Sequence, residues 1–407
     1  MTNGALAGPV PGYLAEDDCR LDDFISLMRE KTDLAGYPHA SAVERSVLVY
    51  DSARLRRELS SPERRRGVAA ELIRALHDGP GIVVFTGAFD DLSVVDRATR
   101  EFEGIIADQH AGGGSAGDHF AQAGQNDRIW NALEKLALRA PDVFAAYYAN
   151  DIVATVCHAW LGPGYQVTSQ VNVVNPGGAA QTVHRDYHLG FLPDSQAARF
   201  PAHVHRLSPV LTLQGAVAHS DMPAETGPTM YLPHSQKYLP GYLAWRRPEF
   251  RGYFEANYVQ LPLSKGDAAF FNPALFHAAG ANRTTDVHRM ANLLQVSSAF
   301  GRAMEAVDRS RMSAALFPAL RAMAGAGATR SMIANAIAAC AEGYSFPTNL
   351  DLDQPIGGLA PMTQAEILAQ AVAEGWSQQR LETELGTWSA RRHTQPAQTQ
   401  PAQTQPL

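Results

Sequence analysis

Three side chains in this 407-residue sequence have the types and spacing to hold a reactive metal. His184 and Asp186 sit two apart in Val183-His184-Arg185-Asp186, and His277 follows Phe276 much later in the chain. Two imidazoles and one carboxylate form a facial ligand set, which grips Fe(II) on one side and leaves the other open. Zinc instead favours a closed tetrahedron, or three protein ligands plus water. In an extended segment residues i and i+2 point the same way, so His184 and Asp186 face one pocket while Arg185 turns away. The third ligand must arrive from a distant strand. An H-x-D triplet alone is short enough to arise by chance, so its surroundings have to carry the argument.

Those surroundings are strand-like. Between about residues 165 and 300, apolar or β-branched runs at 166–174, 209–218, 229–232, 267–271 and 290–298 are separated by turn residues. Short strands punctuated by Gly and Pro predict a barrel or sandwich. Lys265-Gly266-Asp267 is a tight turn feeding Ala268–Phe271; Asn272-Pro273 ends that strand, and His277 sits just beyond. Upstream, Ser60 or Ser61 is placed to cap a helix whose face carries Val68, Leu72, Ile73 and Leu76. Asp78-Gly79-Pro80-Gly81 breaks that helix before the strand Ile82–Phe85. Helical patterns return at 92–107, 129–160 and 302–341, and Thr363-Gln364-Ala365-Glu366 has the form of a capping box.

The expected organisation is an N-terminal arm (1–60), helical and strand elements packed on the core (61–160), a β core (161–301), C-terminal helices (302–390) and a disordered tail (391–407). In the tail, Thr-Gln-Pro-Ala-Gln recurs with no charge and too little apolar surface to offset ordering entropy.

Composition excludes several functions. Lysine and arginine number 34 against 41 acidic residues, a net charge of −7, and Arg64-Arg65-Arg66 is a thin candidate for neutralising phosphates. No apolar run approaches the roughly 20 residues of a membrane span. Residues 1–16 lack the basic-then-apolar pattern of a secretory signal. Cys19, Cys157 and Cys340 are scattered, without a C-x-x-C pair, which fits a reducing compartment. The expectation is a cytoplasmic protein with neither nucleic-acid nor membrane partners. Gly113–Gly117 matches G-x-S-x-G, but a helical pattern precedes it where a nucleophile elbow needs a strand. The Gly-rich segment 110–127 is instead expected to be a loop over the barrel mouth.

The order of the remaining motifs adds a resemblance. His184-Arg185-Asp186 is followed by Glu225-Thr226-Gly227-Pro228-Thr229-Met230-Tyr231-Leu232-Pro233-His234-Ser235, then His277-Ala278-Ala279-Gly280-Ala281-Asn282, then Arg289. Over roughly residues 165–300, and more loosely 68–85, this resembles the phytanoyl-CoA dioxygenase family of Fe(II)/2-oxoglutarate-dependent oxygenases. Leu232-Pro233-His234-Ser235 departs from the family's Pro-Gly-Ser-His order, and Arg289 lies 289 − 277 = 12 positions after His277.

The resemblance implies a mainly β core with flanking helices, a double-stranded β-helix (jelly roll, cupin-like). It implies His184, Asp186 and His277 as catalytic iron ligands, with 2-oxoglutarate and O2 as cosubstrates. The implied reaction hydroxylates an unactivated C–H bond of a small-molecule or acyl-type substrate and releases succinate and CO2. Related halogenases lack the carboxylate that Asp186 supplies here. A buried 2-oxoglutarate leaves one carboxylate needing a cation, and a guanidinium can meet it at two points. Arg289, opening a strand, is the expected anchor; Arg283, in a polar turn, is expected to face solvent. Gln170, Thr212 and Gln214, inward by alternation, are either further cosubstrate contacts or satisfied polar residues of a sheet. Tyr187, Phe191 and Trp245 are either pocket lining or core. Two other readings share the scaffold: a cupin-like metal enzyme without 2-oxoglutarate, and a non-catalytic binding protein.

Overall fold

The alternating runs become two sheets that face each other. The structure, a computed structural model, describes residues 12–113 and 124–393; most of the Gly-rich loop 110–127 and the repeat tail from 394 onward lie outside the described residues. Among the described residues ten strands form: β1 (Ala42–Glu44), β2 (Val47–Asp51), β3 (Ile82–Thr86), β4 (Asn126–Ile129), β5 (Gln166–Val174), β6 (Thr212–Ala218), β7 (Met230–Leu232), β8 (Ala268–Phe271), β9 (Phe276–Ala278) and β10 (Arg289–Ser297). Eight of them make the larger sheet in the order β1-β2-β3-β8-β6-β10-β5-β4, and β7 pairs with β9 in the smaller one. Only β2 and β3 run parallel; the other pairs are antiparallel. Isolated bridges His184↔His277 and Tyr231↔Val259 widen the smaller sheet on both flanks. This is a double-stranded β-helix with helices on its outer side.

Period-two alternation sorts the side chains. Val167, Val171 and Val173 of β5 and Met290, Leu294 and Val296 of β10 point outward, into one apolar cluster with helix residues Leu72, Leu136, Phe144, Val156 and Leu316. Each such burial contributes about 1.5–3 kcal/mol. Residues 168, 170 and 172 of β5 and 214 and 216 of β6 face the other way, toward the smaller sheet. A second cluster, with Phe24, Tyr242, Phe250 and Phe276, supports the smaller sheet from behind.

Several elements differ from the expectation. β1 and β2 come from the segment read as an arm; Val47–Tyr50 is a short, fully buried apolar run beside β3, so the sheet extends well outside residues 161–301. The helix Pro62–His77 buries Val68, Leu72, Ala75 and Leu76, but Ile73 is 44% exposed. The stretch 129–160 breaks into Ala132–Arg139, Pro141–Tyr148 and Asp151–Leu161. Pro141 cannot continue the preceding helix, and the Asn150 side chain caps the last one by accepting from Ile152 and Val153 N–H. His203 and His205 lie on the helix Ala202–Leu207. The capping box at Thr363 forms as expected. Among the described residues, no helix is long and apolar enough to cross a membrane.

Behind the larger sheet, His219 has both ring nitrogens engaged, Nδ1 with Thr99 Oγ1 at 2.8 Å and Nε2 with the Tyr147 hydroxyl at 2.9 Å. Burial drives its pKa from the ordinary 6.5 down to about 3, with Asp96 opposing and Lys265 adding to the shift. The unfolded chain therefore takes the proton first. His219 contributes full stability above the ordinary value and loses it as pH falls toward the folded one. Moving from about pH 7.5 to about pH 5 should remove roughly 2 kcal/mol through this residue. Urea denaturation of the wild-type protein and of His219→Gln at both pH values measures the difference; equal pH slopes would assign the effect elsewhere.

Candidate metal centre

The site is built on a two-residue antiparallel contact. His184 N–H donates to the His277 carbonyl at 2.9 Å and His277 N–H returns to the His184 carbonyl at 3.1 Å, while Asp186 N–H donates to Pro273 O at 3.1 Å. The imidazoles lie side by side, 4.4 Å between centroids. Each Nδ1 bonds the carbonyl two residues upstream, that of Thr182 or Leu275, both at 2.9 Å. A carbonyl only accepts, so each Nδ1 carries hydrogen and each Nε2 keeps a lone pair for another partner. Asp186 completes the group, Oδ1 at 3.7 Å from His184 Nε2 and Oδ2 at 3.4 Å from His277 Nε2. One ligand atom from each residue falls within 4.8 Å of the others, the one such group of three among the described residues.

Electrostatics match a cation. Burial raises the Asp186 pKa, but His184, His277 and the Gln214 amide outweigh it and hold the carboxyl well below its usual range. Burial pushes the His184 pKa down, against the pull of Asp186, so its imidazole is neutral, as a metal ligand must be. Two imidazoles and one carboxylate are an oxygen-and-nitrogen donor set suited to a divalent first-row metal.

Arg185 turns away from this group, as its position in H-x-D requires, and is 2% exposed. Its Nη2 donates to the Ser235 and Tyr238 carbonyls at 2.5 and 3.0 Å. The guanidinium lies about 5 Å from the centres of the Tyr242 and Phe276 rings. Ser235 Oγ accepts from Phe276 N–H and donates to Leu232 O. The Leu-Pro-His-Ser segment thus braces both ligand segments from behind. His234 itself, in a left-handed backbone conformation at φ 72°, meets Thr32 Oγ1 at 3.2 Å and does not join the metal group.

Arg289 opens β10 and is 7% exposed. It donates to the Thr226 carbonyl at 3.2 Å, and burial lowers its pKa to about 10 despite the nearby Tyr231. It therefore stays charged at neutral pH, with no acidic partner among the described residues. The Glu-Thr-Gly-Pro turn explains its setting. Gly227 has φ 69°, and a Cβ there would lie 2.2 Å from the Ala281 carbonyl, so only glycine lets this turn press against the segment following His277. Arg283 is exposed.

His184, Asp186, His277, Arg289, Gln170 and Gln214 all line one open cavity between the sheets. Gln170 is tied to Arg128 at 3.1 Å and Gln295 at 3.4 Å, while Gln214 donates to Asp186. Thr212 is buried but does not line the cavity. It shares the inward parity of Gln214 but sits one step deeper, opposite Ser297. Trp245 belongs to the second core cluster, Phe191 is exposed and Tyr187 is buried outside the cavity lining. His188 bonds Ser208 and His205 bonds Ala197 O. Lining residues that went unanticipated include Arg128, Gln181 and Gln295. Counting every second residue from Arg289 along β10 would have found Gln295.

The phytanoyl-CoA dioxygenase (PhyH) family model matches residues 66–291, and the chain belongs to that family. No curated protein matches it significantly. Among solved structures, the chain is similar to the non-heme alpha ketoglutarate dependent epimerase SnoN from nogalamycin biosynthesis, at 20% identity over 59% of this chain and 82% of that one, TM-score 0.39. The carbocyclase SnoK from the same biosynthesis is 19% identical over 58% and 86%, TM-score 0.40. HygX from Streptomyces hygroscopicus, solved with nickel and 2-oxoglutarate bound, is 16% identical over 57% and 89%, TM-score 0.38.

The brace behind the ligands is testable through Gly241, where a Cβ would stand 2.0 Å from the Arg185 guanidinium carbon. Gly241→Ala should cost about 1–3 kcal/mol by overpacking. Gly252→Ala, inside the helix Pro248–Asn257 with nothing within 4 Å, should gain about 0.5–1 kcal/mol from helix propensity. Urea denaturation of the two variants distinguishes them; equal effects would remove the brace from the account.

Proposed function

We propose that this protein is a non-haem Fe(II)/2-oxoglutarate-dependent oxygenase that hydroxylates a C–H bond of a small-molecule or acyl-type substrate. The observation that carries the reading is the convergence of His184, Asp186 and His277 in the same cavity as a buried, charged and acid-free Arg289. Family membership supports it.

The roles follow from the donors. His184 and His277 present Nε2, and Asp186 an oxygen, to the iron. Arg289 receives the far carboxylate of 2-oxoglutarate, which offsets the cost of burying either charge alone. When bound, iron and 2-oxoglutarate together supply the oxidising power, consuming O2 and releasing succinate and CO2. The protein's own part is to fix these ligands, orient the substrate and limit water. The cavity lining does this with Gln170, Asn172 and Gln295 as polar groups and Leu263, Phe271 and Leu293 as apolar ones. Asp186 fills the position that a halide would need, which favours hydroxylation over halogenation.

Anaerobic iron titration followed by 2-oxoglutarate and air tests the reading. The wild-type protein should bind iron and release succinate, and His184→Ala and Asp186→Ala should do neither. Arg289→Ala should retain iron but bind 2-oxoglutarate at least about 30-fold more weakly, the equivalent of roughly 2 kcal/mol. Full affinity in Arg289→Ala would point to a metal enzyme that does not use the 2-oxoacid.

A further inference from the structure

The main chain of Asp186 is fixed on both sides. Its N–H donates to Pro273 O, and its carbonyl accepts from the Tyr242 hydroxyl at 3.2 Å. What remains free is the rotation of the carboxyl group, and that rotation decides how many oxygens a metal can take. One neighbour limits it. Gln214 Nε2 lies 2.5 Å from Asp186 Oδ2, on a side chain only 6% exposed.

The amide's orientation is set by chemistry. An ionised carboxylate only accepts hydrogen bonds, so the nitrogen of Gln214 must face it and not the oxygen. Gln214 Oε1 is then left buried with no hydrogen bond among the described residues, an arrangement that costs stability when it persists. A glutamine serving the sheet alone would gain by satisfying both ends. The Gln214 backbone is held between β8 and β10, directly opposite Phe271 on one side and Gln295 on the other. Phe271 in turn sets its ring edge-on against His277, 4.8 Å between centroids. One cross-strand pair therefore steadies two of the three ligands, one by an amide and one by a ring.

We propose that Gln214 is a positioning residue that makes Asp186 a one-oxygen ligand. It engages Oδ2, leaves Oδ1 for the metal, and so keeps a coordination position clear for a cosubstrate that chelates at two points. This rests on the iron-and-2-oxoglutarate reading above, and it differs from the expectation that Gln214 contacts the cosubstrate itself.

The test is anaerobic titration of Co(II) into the metal-free full chain, followed by calorimetry and by the visible absorption of bound Co(II). Wild type, Gln214→Leu and Gln214→Asn are compared, with urea denaturation of each metal-free protein. Both variants should bind Co(II) about 10–100-fold more weakly, the usual effect of losing a residue that orients a ligand, with an altered Co(II) spectrum and little change in metal-free stability. If Gln214→Leu does not fold, Gln214→Asn decides, because its amide is one methylene too short to reach Asp186. Unchanged affinity and spectrum in a folded variant overturns the role of Gln214 and leaves the metal centre standing. A wild-type protein that takes up no Co(II) overturns both.

Discussion

The reciprocal pair of backbone hydrogen bonds between His184 and His277 is the contact on which the site depends. Ligands from segments so far apart in sequence have no local reason to meet. Two main-chain bonds fix the spacing and direction of both imidazoles at once, because antiparallel partners place their side chains on a common face at a set distance. The Nδ1 bonds to Thr182 O and Leu275 O then settle ring orientation and tautomer with no help from a metal. The arrangement is made by the backbone and only refined by side chains.

Much of this was legible in the sequence, for reasons that can be traced. His184 and Asp186 share a side because extended chain has a period of two, and β5, β6, β8 and β10 were visible as β-branched runs between turn residues. Arg289 stood out because it opens such a run. The depth of a residue was not legible: Thr212 and Gln214 have the same parity, yet only Gln214 lines the cavity. Nor was the partner of a polar side chain, since alternation shows that Gln214 faces inward and says nothing of Asp186. Ile73 was misplaced because it turns to the open side of its helix, 44% exposed, while Leu72 beside it is fully buried. β1 and β2 escaped because Val47–Tyr50 is short and acquires its meaning by pairing with β3.

Among the described residues three arginines are buried, and their surroundings separate structure from chemistry. Arg185 spends its donors on the Ser235 and Tyr238 carbonyls, and Arg309 on those of Cys340 and Val167. Both join separate segments by satisfying main-chain acceptors that would otherwise be costly to bury. Arg309 ties the C-terminal helices to β5, and Arg185 ties the ligand segment to Leu232–Tyr238. Arg289 has a single carbonyl and opens into the cavity. The same residue type is a strut in two places and an unanswered charge in the third, and the difference lies entirely in what surrounds the guanidinium.

The place of β3 in the larger sheet carries a consequence for biosynthesis. It lies between β2 and β8, so a strand made early waits for one made late, and its outer edge stays bare until the growing polypeptide has passed residue 271. Bare edges recruit other chains, and such long-distance pairing is slow to form. A fragment ending before β8 would emerge as an adhesive half-sheet, and one beginning after β3 would lack the strand against which β8 closes. The pocket lining runs from Arg128 to Gln295, so no short stretch of the growing polypeptide contains it.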